Sequence, residues 1–345
     1  MDRPSLDTLA ARHALGAPAI DAALQLTGLR PDPAQWRDFA ARLLHAAGLA
    51  GIGAGVVFFV AANWQRFGTL GRFALLQAAL VGCVAIALWR PAPARPGQAA
   101  LLLATLLTGA LLALFGQTYQ TGADVHELFF GWALLALPFV LAAASGALWA
   151  LWWGVLNVAL ALLCGWLGPD HIVWQFVAGW GVGRPLLLML PWALNLLAAG
   201  ACLALQRTRL AQATPTWLAR GLATLGFAYG TLAVLLVIVG DGRSRGAPPG
   251  GLEHSGVPFA FIAVALAIGV ATWRARRDVF PMALVAASAI VLSTTWLGHA
   301  MRLSDIGALF VIALWIVAAS TGAGLLLMHW VRSWRVAPAG AGAAA

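Results

Sequence analysis

Residues 99–145 read AALLLATLLTGALLALFG, then QTYQTGADVH, then ELFFGWALLALPFVLAAAS. The first run carries no charge, and the last carries only Glu127, at its start. A helix rises about 1.5 Å per residue, so about 20 apolar residues cross the roughly 30 Å hydrocarbon layer of a bilayer. Each run is close to that length, and a short polar turn joins them. The same reading extends along the chain. Apolar stretches fall at 43–62, 70–89, 99–116, 127–145, 147–167, 186–205, 218–239, 257–273, 280–298 and 305–331. The eighth is short and leaves a nine-span count open. The expected fold is all-α: a polytopic integral membrane bundle of about ten transmembrane helices behind a short N-terminal cytoplasmic amphipathic helical segment.

Composition points the same way. Of 345 residues, 61% are hydrophobic and 10% charged, against about 25% charged in soluble domains. Mean hydropathy is +0.85. These values exclude a soluble enzyme, a disordered chain and an exposed nucleic-acid-binding domain. The net charge of +9 comes from 21 basic residues, all Arg, against 12 acids. The Ala, Gly, Leu and Arg richness fits a GC-rich bacterial genome. The arginines sit in short loops between apolar runs instead of on one face, so nucleic acid is not an expected partner. With a cytoplasmic N-terminus, inside segments hold 15 Arg and outside loops hold six, the asymmetry of the positive-inside rule. The expected location is the bacterial cytoplasmic (inner) membrane, multi-pass, with both termini cytoplasmic. No cleavable signal peptide is visible, and the first span is expected to serve as the insertion signal.

Five segments follow. Residues 1–41 form the cytoplasmic amphipathic helical segment, and 42–167 a five-span membrane region. Residues 168–185 lie in the outer interface, 186–331 hold five further spans, and 332–345 form a disordered cytoplasmic tail. Within the first segment, Asp32-Pro33 with Gln35 marks a helix start, and that helix is expected to run on into the first span. Trp64 and Trp296 at outer ends, with Trp89, Trp149, Trp152 and Trp153 at inner ones, suggest an aromatic belt. Gly51 and Gly55, and again Gly226 and Gly230, have the spacing that lets helices approach closely in lipid. Intramolecular packing and a homodimer both fit that spacing. Cys83, Cys164 and Cys202 lie inside apolar runs without metal-ligand spacing.

Polar groups inside or beside hydrocarbon are functional suspects. The densest set is Gly116-Gln117-Thr118-Tyr119-Gln120-Thr121-Gly122-Ala123-Asp124-Val125-His126-Glu127. Its substrate-binding candidates are Gln117, Tyr119, Gln120, Asp124 and Glu127, with Gln117 expected deepest. Asn63 and Trp64 end the first span on the same side and join the candidate set. Asn157 and Asn195, at mid-membrane depth, complete it, for hydrogen bonding between helices or for contact with a substrate. A ligand or ion site, a metal site at Asp124, His126 and Glu127, and a turn that merely caps two helices compete for the turn. The metal spacing matches no standard zinc pattern. No catalytic residue, metal ligand or cofactor is assigned. Pro138 and Pro191 lie inside spans and free backbone carbonyls.

Residues 51–64 (GIGAGVVFFVAANW), Gly71-Arg72-Phe73 and 116–139 (GQTYQTGADVHELFFGWALLALPF) resemble a family of bacterial predicted membrane proteins of unknown function. The likeness covers roughly residues 5–170, and GQTYQTGAD is its most specific part. The C-terminal half resembles the hydrophobic companion domain of that family, found alongside proteins named for a GDYXXLXY motif. That motif is absent from this chain, so the resemblance implies a separate membrane-protein partner carrying it. No activity comes with the family. The sequence favours binding or transport of a small solute through a polar outer vestibule. The alternative is a non-transporting scaffold or sensor subunit of an envelope membrane complex, and catalysis comes third.

The arginine count makes a direct prediction. A reporter active only in the cytoplasm, fused at Ala345, and one active only outside, fused at Gly246, should both give signal. A silent Ala345 fusion on an intact protein would mean an odd number of spans.

Overall fold

The computed structural model describes residues 12–26, 32–91, 94–120, 122, 124–165, 185–206, 208, 213–240, 252–273, 278–301 and 306–336. These residues form eleven α-helices and no strand. In chain order they are α1 (Ala17–Leu26), α2 (Pro33–Ala62), α3 (Thr69–Trp89), α4 (Arg95–Tyr119), α5 (Val125–Ala143) and α6 (Gly146–Leu163). Then follow α7 (Pro185–Leu205), α8 (Thr216–Gly240), α9 (Leu252–Ala271), α10 (Val279–Ala300) and α11 (Ile306–Val336). Eight helices, α3 to α8 with α10 and α11, are long and apolar enough to cross a membrane. The chain is a polytopic helical membrane protein. The expected first span is the second half of α2, and the expected short eighth span is α9, whose apolar part is Gly256–Ala271.

The start of α2 follows from its sequence. Pro33 fits the first turn, and the Asp32 carboxylate accepts the Gln35 N–H at 2.6 Å, satisfying one of the otherwise unpaired donors of the helix N-terminus. The helix then passes residue 41 without a break. At the other end of the chain, α11 continues through Arg332 to Val336, where a disordered tail was expected to begin. Trp330, Val331, Trp334 and Val336 keep an apolar pattern going past Arg332. Of the interfacial segment expected at 168–185 all but Pro185, which opens α7, lies outside the described residues, as do residues 241–251 of the linker expected at 240–256, whose last five residues begin α9, and residues 337–345.

The chain divides into two units, Met1–Arg72 and Phe73–Ala345. In the first, the 3-10 turn Trp64–Arg66 follows α2. Arg72 closes this turn. Its Nε donates to the carbonyls of Trp64 (3.1 Å) and Phe67 (2.9 Å), and its guanidinium lies 4.9 Å from the Trp64 ring centroid.

In the second unit, α4, α5 and α6 pack in sequence as neighbours, α7 to α11 form a further set around α8, and α6 meets α7 where the two sets join. The turn between α5 and α6 is only Ala144 and Ser145, with Ala144 in the left-handed region at φ 46°. Trp132 on α5 donates its indole N–H to the Thr105 carbonyl of α4 at 2.7 Å, and Trp152 on α6 donates to Ala133 on α5 at 2.8 Å. Trp152 was expected in the aromatic belt; its polar atom instead ties two helices together. Gly109 lets Trp132 close in, since a Cβ there would lie 2.5 Å from the ring. Gly226 and Gly230 act the same way inside α8. A Cβ at Gly230 would run into the rings of Phe261 and Trp192, so this pair packs within the chain. A Cβ at Gly51 or Gly55 would meet nothing within 4 Å.

The joint between the two sets is polar. Asn157 on α6 and Asn195 on α7 exchange amide hydrogen bonds of 3.1 and 2.8 Å. Each uses its second N–H on a carbonyl one turn back, Trp153 and Pro191 respectively, both at 2.8 Å. Tyr229 of α8 donates to the Asn157 carbonyl at 3.3 Å. Asn195 is fully buried. A few residues along, Pro191 has no N–H to give the Leu187 carbonyl four positions back. The Cys164 thiol lies 3.5 Å from that oxygen and supplies the donor. Elsewhere Thr231 of α8 donates to Ser288 of α10 at 2.8 Å, and Trp315 of α11 to Ser293 of α10 at 3.1 Å. At the entry of α10, Asp278 accepts the Phe280 N–H at 3.0 Å and lies 3.6 Å from Arg220, which also covers the Phe280 ring. Among the described residues, one buried side-chain polar atom has no partner, Thr294 Oγ1.

Two outcomes follow. Gly109→Ala should lower stability by about 1–3 kcal/mol through overpacking against Trp132, read by thermal unfolding in detergent. Gly200→Ala, where an added Cβ meets open space, should be neutral or stabilising. Asn157→Leu should cost about 1–2 kcal/mol by leaving the Asn195 amide oxygen and one of its N–H groups without their partners. The double change with Asn195→Leu should cost less than the two single changes summed. Additive losses in that cycle would mean the amides do not support each other.

Candidate functional site

The polar turn between α4 and α5 is built by the end of one helix and the start of the next. The apolar run was expected to end at Gly116, but α4 continues to Tyr119. Residues 117–119 therefore follow the helical rotation, which sends neighbours about 100° apart. Gln120 ends the helix in the left-handed conformation (φ 44°, ψ 51°), and its backbone N–H reaches the Gly116 carbonyl at 3.1 Å. Gly122 also has positive φ, at 66°. The chain then straightens at Asp124, and the Glu127 N–H bonds the Asp124 carbonyl at 3.0 Å to open α5.

Gln117, Gln120, Asp124 and Glu127 line one cleft of about 730 Å³, walled by Leu112, Phe115, Val125 and Leu128. All four polar residues are exposed, including Gln117, which was expected to be the deepest. Helix termini here are closed by backbone, not by these side chains: Asp124 stands at the cap position of α5 without a side-chain cap bond. Among the described residues, the side chains of these four make no hydrogen bond. Tyr119 does not line the cleft. It is 61% exposed and packs its ring on Phe115 at 4.7 Å and Phe73 at 6.4 Å. His126 turns its ring to Phe130, 6.3 Å away, and among the described residues no cluster of three His, Cys, Asp or Glu side chains forms.

The electrostatics of the cleft are one-sided. Among the described residues neither Asp124 nor Glu127 forms an ion pair. The N-terminus of α5 offers roughly half a positive charge, which favours Asp124 and Glu127 without neutralising two carboxylates. The cleft therefore attracts positive charge, with amides beside it to accept or donate hydrogen bonds.

Asn63 and Trp64 belong to the first unit, in the turn that Arg72 closes. Asn157 and Asn195 are bonded to each other at the joint of α6 and α7. Sequence reasoning did not single out the apolar walls. Leu112 and Phe115, three residues apart, share one side of α4, but Gln117 lies about 200° around the helix from Phe115 and Gln120 lies past its end, so periodicity alone does not join them.

No curated protein and no solved structure matches the chain. The resemblance expected over roughly residues 5–170 is found over 7–149, which contain the whole cleft. Over residues 7–149, then, the chain matches the family described as "Predicted membrane protein (DUF2157)".

Proposed function

We propose that this chain is a membrane-embedded binding protein whose Gln117–Glu127 end takes a small solute carrying positive charge. The observation that carries the reading is the cleft of about 730 Å³. It gathers two amides and two carboxylates that no helix cap consumes. Tyr119 flanks it. The arginine distribution supports an outward-facing cleft in a bacterial cytoplasmic membrane. Binding is favoured over passage because Asn157 and Asn195, the amides a translocation path would use, are spent on each other. Transport would require that pair to open.

A scaffold or sensor subunit is the second reading. It is favoured by an apolar groove of about 490 Å³ between α9, α10 and α11, lined by small residues such as Gly269, Ala286 and Ala323 and edged by Trp273 and Trp330. A partner carrying the GDYXXLXY motif belongs to this reading, as does a homodimer through Gly51 and Gly55. Under it, changes in the cleft leave function intact.

The test is ligand-induced stabilisation of the purified protein in nanodiscs, with small ammonium and guanidinium solutes. A ligand at about 100 times its Kd stabilises by about 2.7 kcal/mol. Asp124→Asn and Gln117→Ala should each weaken this response about tenfold or more, while folded yield stays at the wild-type level. A fall in folded yield together with the response would make the turn a structural cap. No response to any cationic solute would remove the binding reading.

A further inference from the structure

We infer that the ligand of this cleft is an amphiphile, with its positively charged head among Gln117, Gln120, Asp124 and Glu127 and its apolar tail in a second hollow between α3, α4 and α5. This rests on the binding reading above and names the ligand class.

The two cavities share two walls, Leu112 and Phe115. The second holds about 400 Å³, and its apolar lining includes Phe73, Leu80, Leu111, Leu135 and Phe139. Two polar residues reach it, Gln77 and Thr108. The Thr108 hydroxyl donates to the Ala104 carbonyl at 2.9 Å, so its proton is not offered to a ligand. Along α4 and its cap the apolar hollow is lined from Thr108 to Phe115 and the polar cleft from Leu112 to Gln120. The polar one lies against the end of α4 and the start of α5. The apolar one begins at Thr108, eleven residues before Tyr119, or about 16 Å along the axis. That is close to half of the roughly 30 Å hydrocarbon thickness. The hollow therefore reaches from the level of the shared walls, about 6–10 Å before Tyr119, toward the middle of the hydrocarbon layer.

A wholly polar solute would find no polar partner in the deeper hollow beyond Gln77. A wholly apolar one would leave Asp124 and Glu127 without a counter-charge, since neither forms an ion pair among the described residues. An ammonium-headed chain satisfies both ends. For a tail arriving from water, each methylene transferred favours binding by about fourfold. For a tail arriving from lipid that gain is small, because lipid is as apolar as the wall. The carboxylates then select the ligand and the hollow aligns it.

The experiment uses the full-length protein in phosphatidylcholine nanodiscs, with dodecylammonium and butylammonium as probes, dosed per lipid and read by thermal stabilisation. Leu135→Trp, at a half-exposed position of the hollow, should weaken dodecylammonium about tenfold more than butylammonium. Leu111→Trp gives the same comparison should the first variant fold poorly. Asp124→Asn should weaken both probes. If the filling variants affect both probes equally while Asp124→Asn still weakens them, the head site stands and the amphiphile is overturned. If Asp124→Asn has no effect on dodecylammonium, the chain is merely soaking into an apolar gap, and the inference is overturned with it. If neither probe stabilises the protein, the binding reading falls as well. A further arm replaces part of the lipid with phosphatidylethanolamine. Competition with dodecylammonium would identify the bilayer's own amine-headed lipid as the source, and its absence a soluble amphiphile. Either result is read only where the first comparison holds.

Discussion

Inside a bilayer no water stands ready to satisfy a backbone or side-chain polar group, and the arrangement of α4 to α8 follows from meeting that demand with protein atoms. The Leu187 carbonyl, orphaned by Pro191, takes the Cys164 thiol. Asn157 and Asn195 use every N–H on each other or on their own helices, and Tyr229 brings in a third helix at the same point. Apolar contact alone would not choose these neighbours, since a leucine gains little by exchanging a lipid tail for another leucine. The specific partners come from donors that reach one carbonyl and no other. Glycines at 109, 226 and 230 then remove the bulk that would hold the helices apart.

This division explains what could be read in the sequence. Span positions rest on hydropathy and length, which one sequence carries in full, and the start of α2 rests on a local pattern at Asp32, Pro33 and Gln35. Helix partners rest on events that are not local. Gly109 and Gly116 sit in one apolar run and look alike, yet a Cβ would strike Trp132 at the first and meet nothing within 4 Å at the second. Trp132 and Trp152 carry the same indole that elsewhere seeks the membrane interface, and nothing nearby in the chain says that Thr105 and Ala133 will receive it. The two central asparagines were legible as costly groups at bilayer depth. Their pairing was not, because 38 positions separate them.

The polar turn shows the same limit over a shorter distance. Its residue types stood out at once between two apolar runs. Their directions depended on where α4 stops, and three more helical residues than hydropathy suggested turn Tyr119 onto Phe115 and leave Gln117 and Gln120 facing Asp124 and Glu127. Helix ends are poorly fixed by hydropathy, because the last turn is polar whether it is helical or not.

Gln120 carries a further consequence. A side chain in the left-handed region costs about 1–2 kcal/mol, and glycine adopts that shape without the steric term. Stability alone would favour glycine at this corner, as at Gly122. The chain instead holds an amide there and accepts a strained backbone to present it to the cleft. Laboratory evolution for thermal robustness and evolution for ligand retention should therefore diverge at position 120. Where they diverge, that one residue records how much folding stability the protein gives up to keep its cleft furnished.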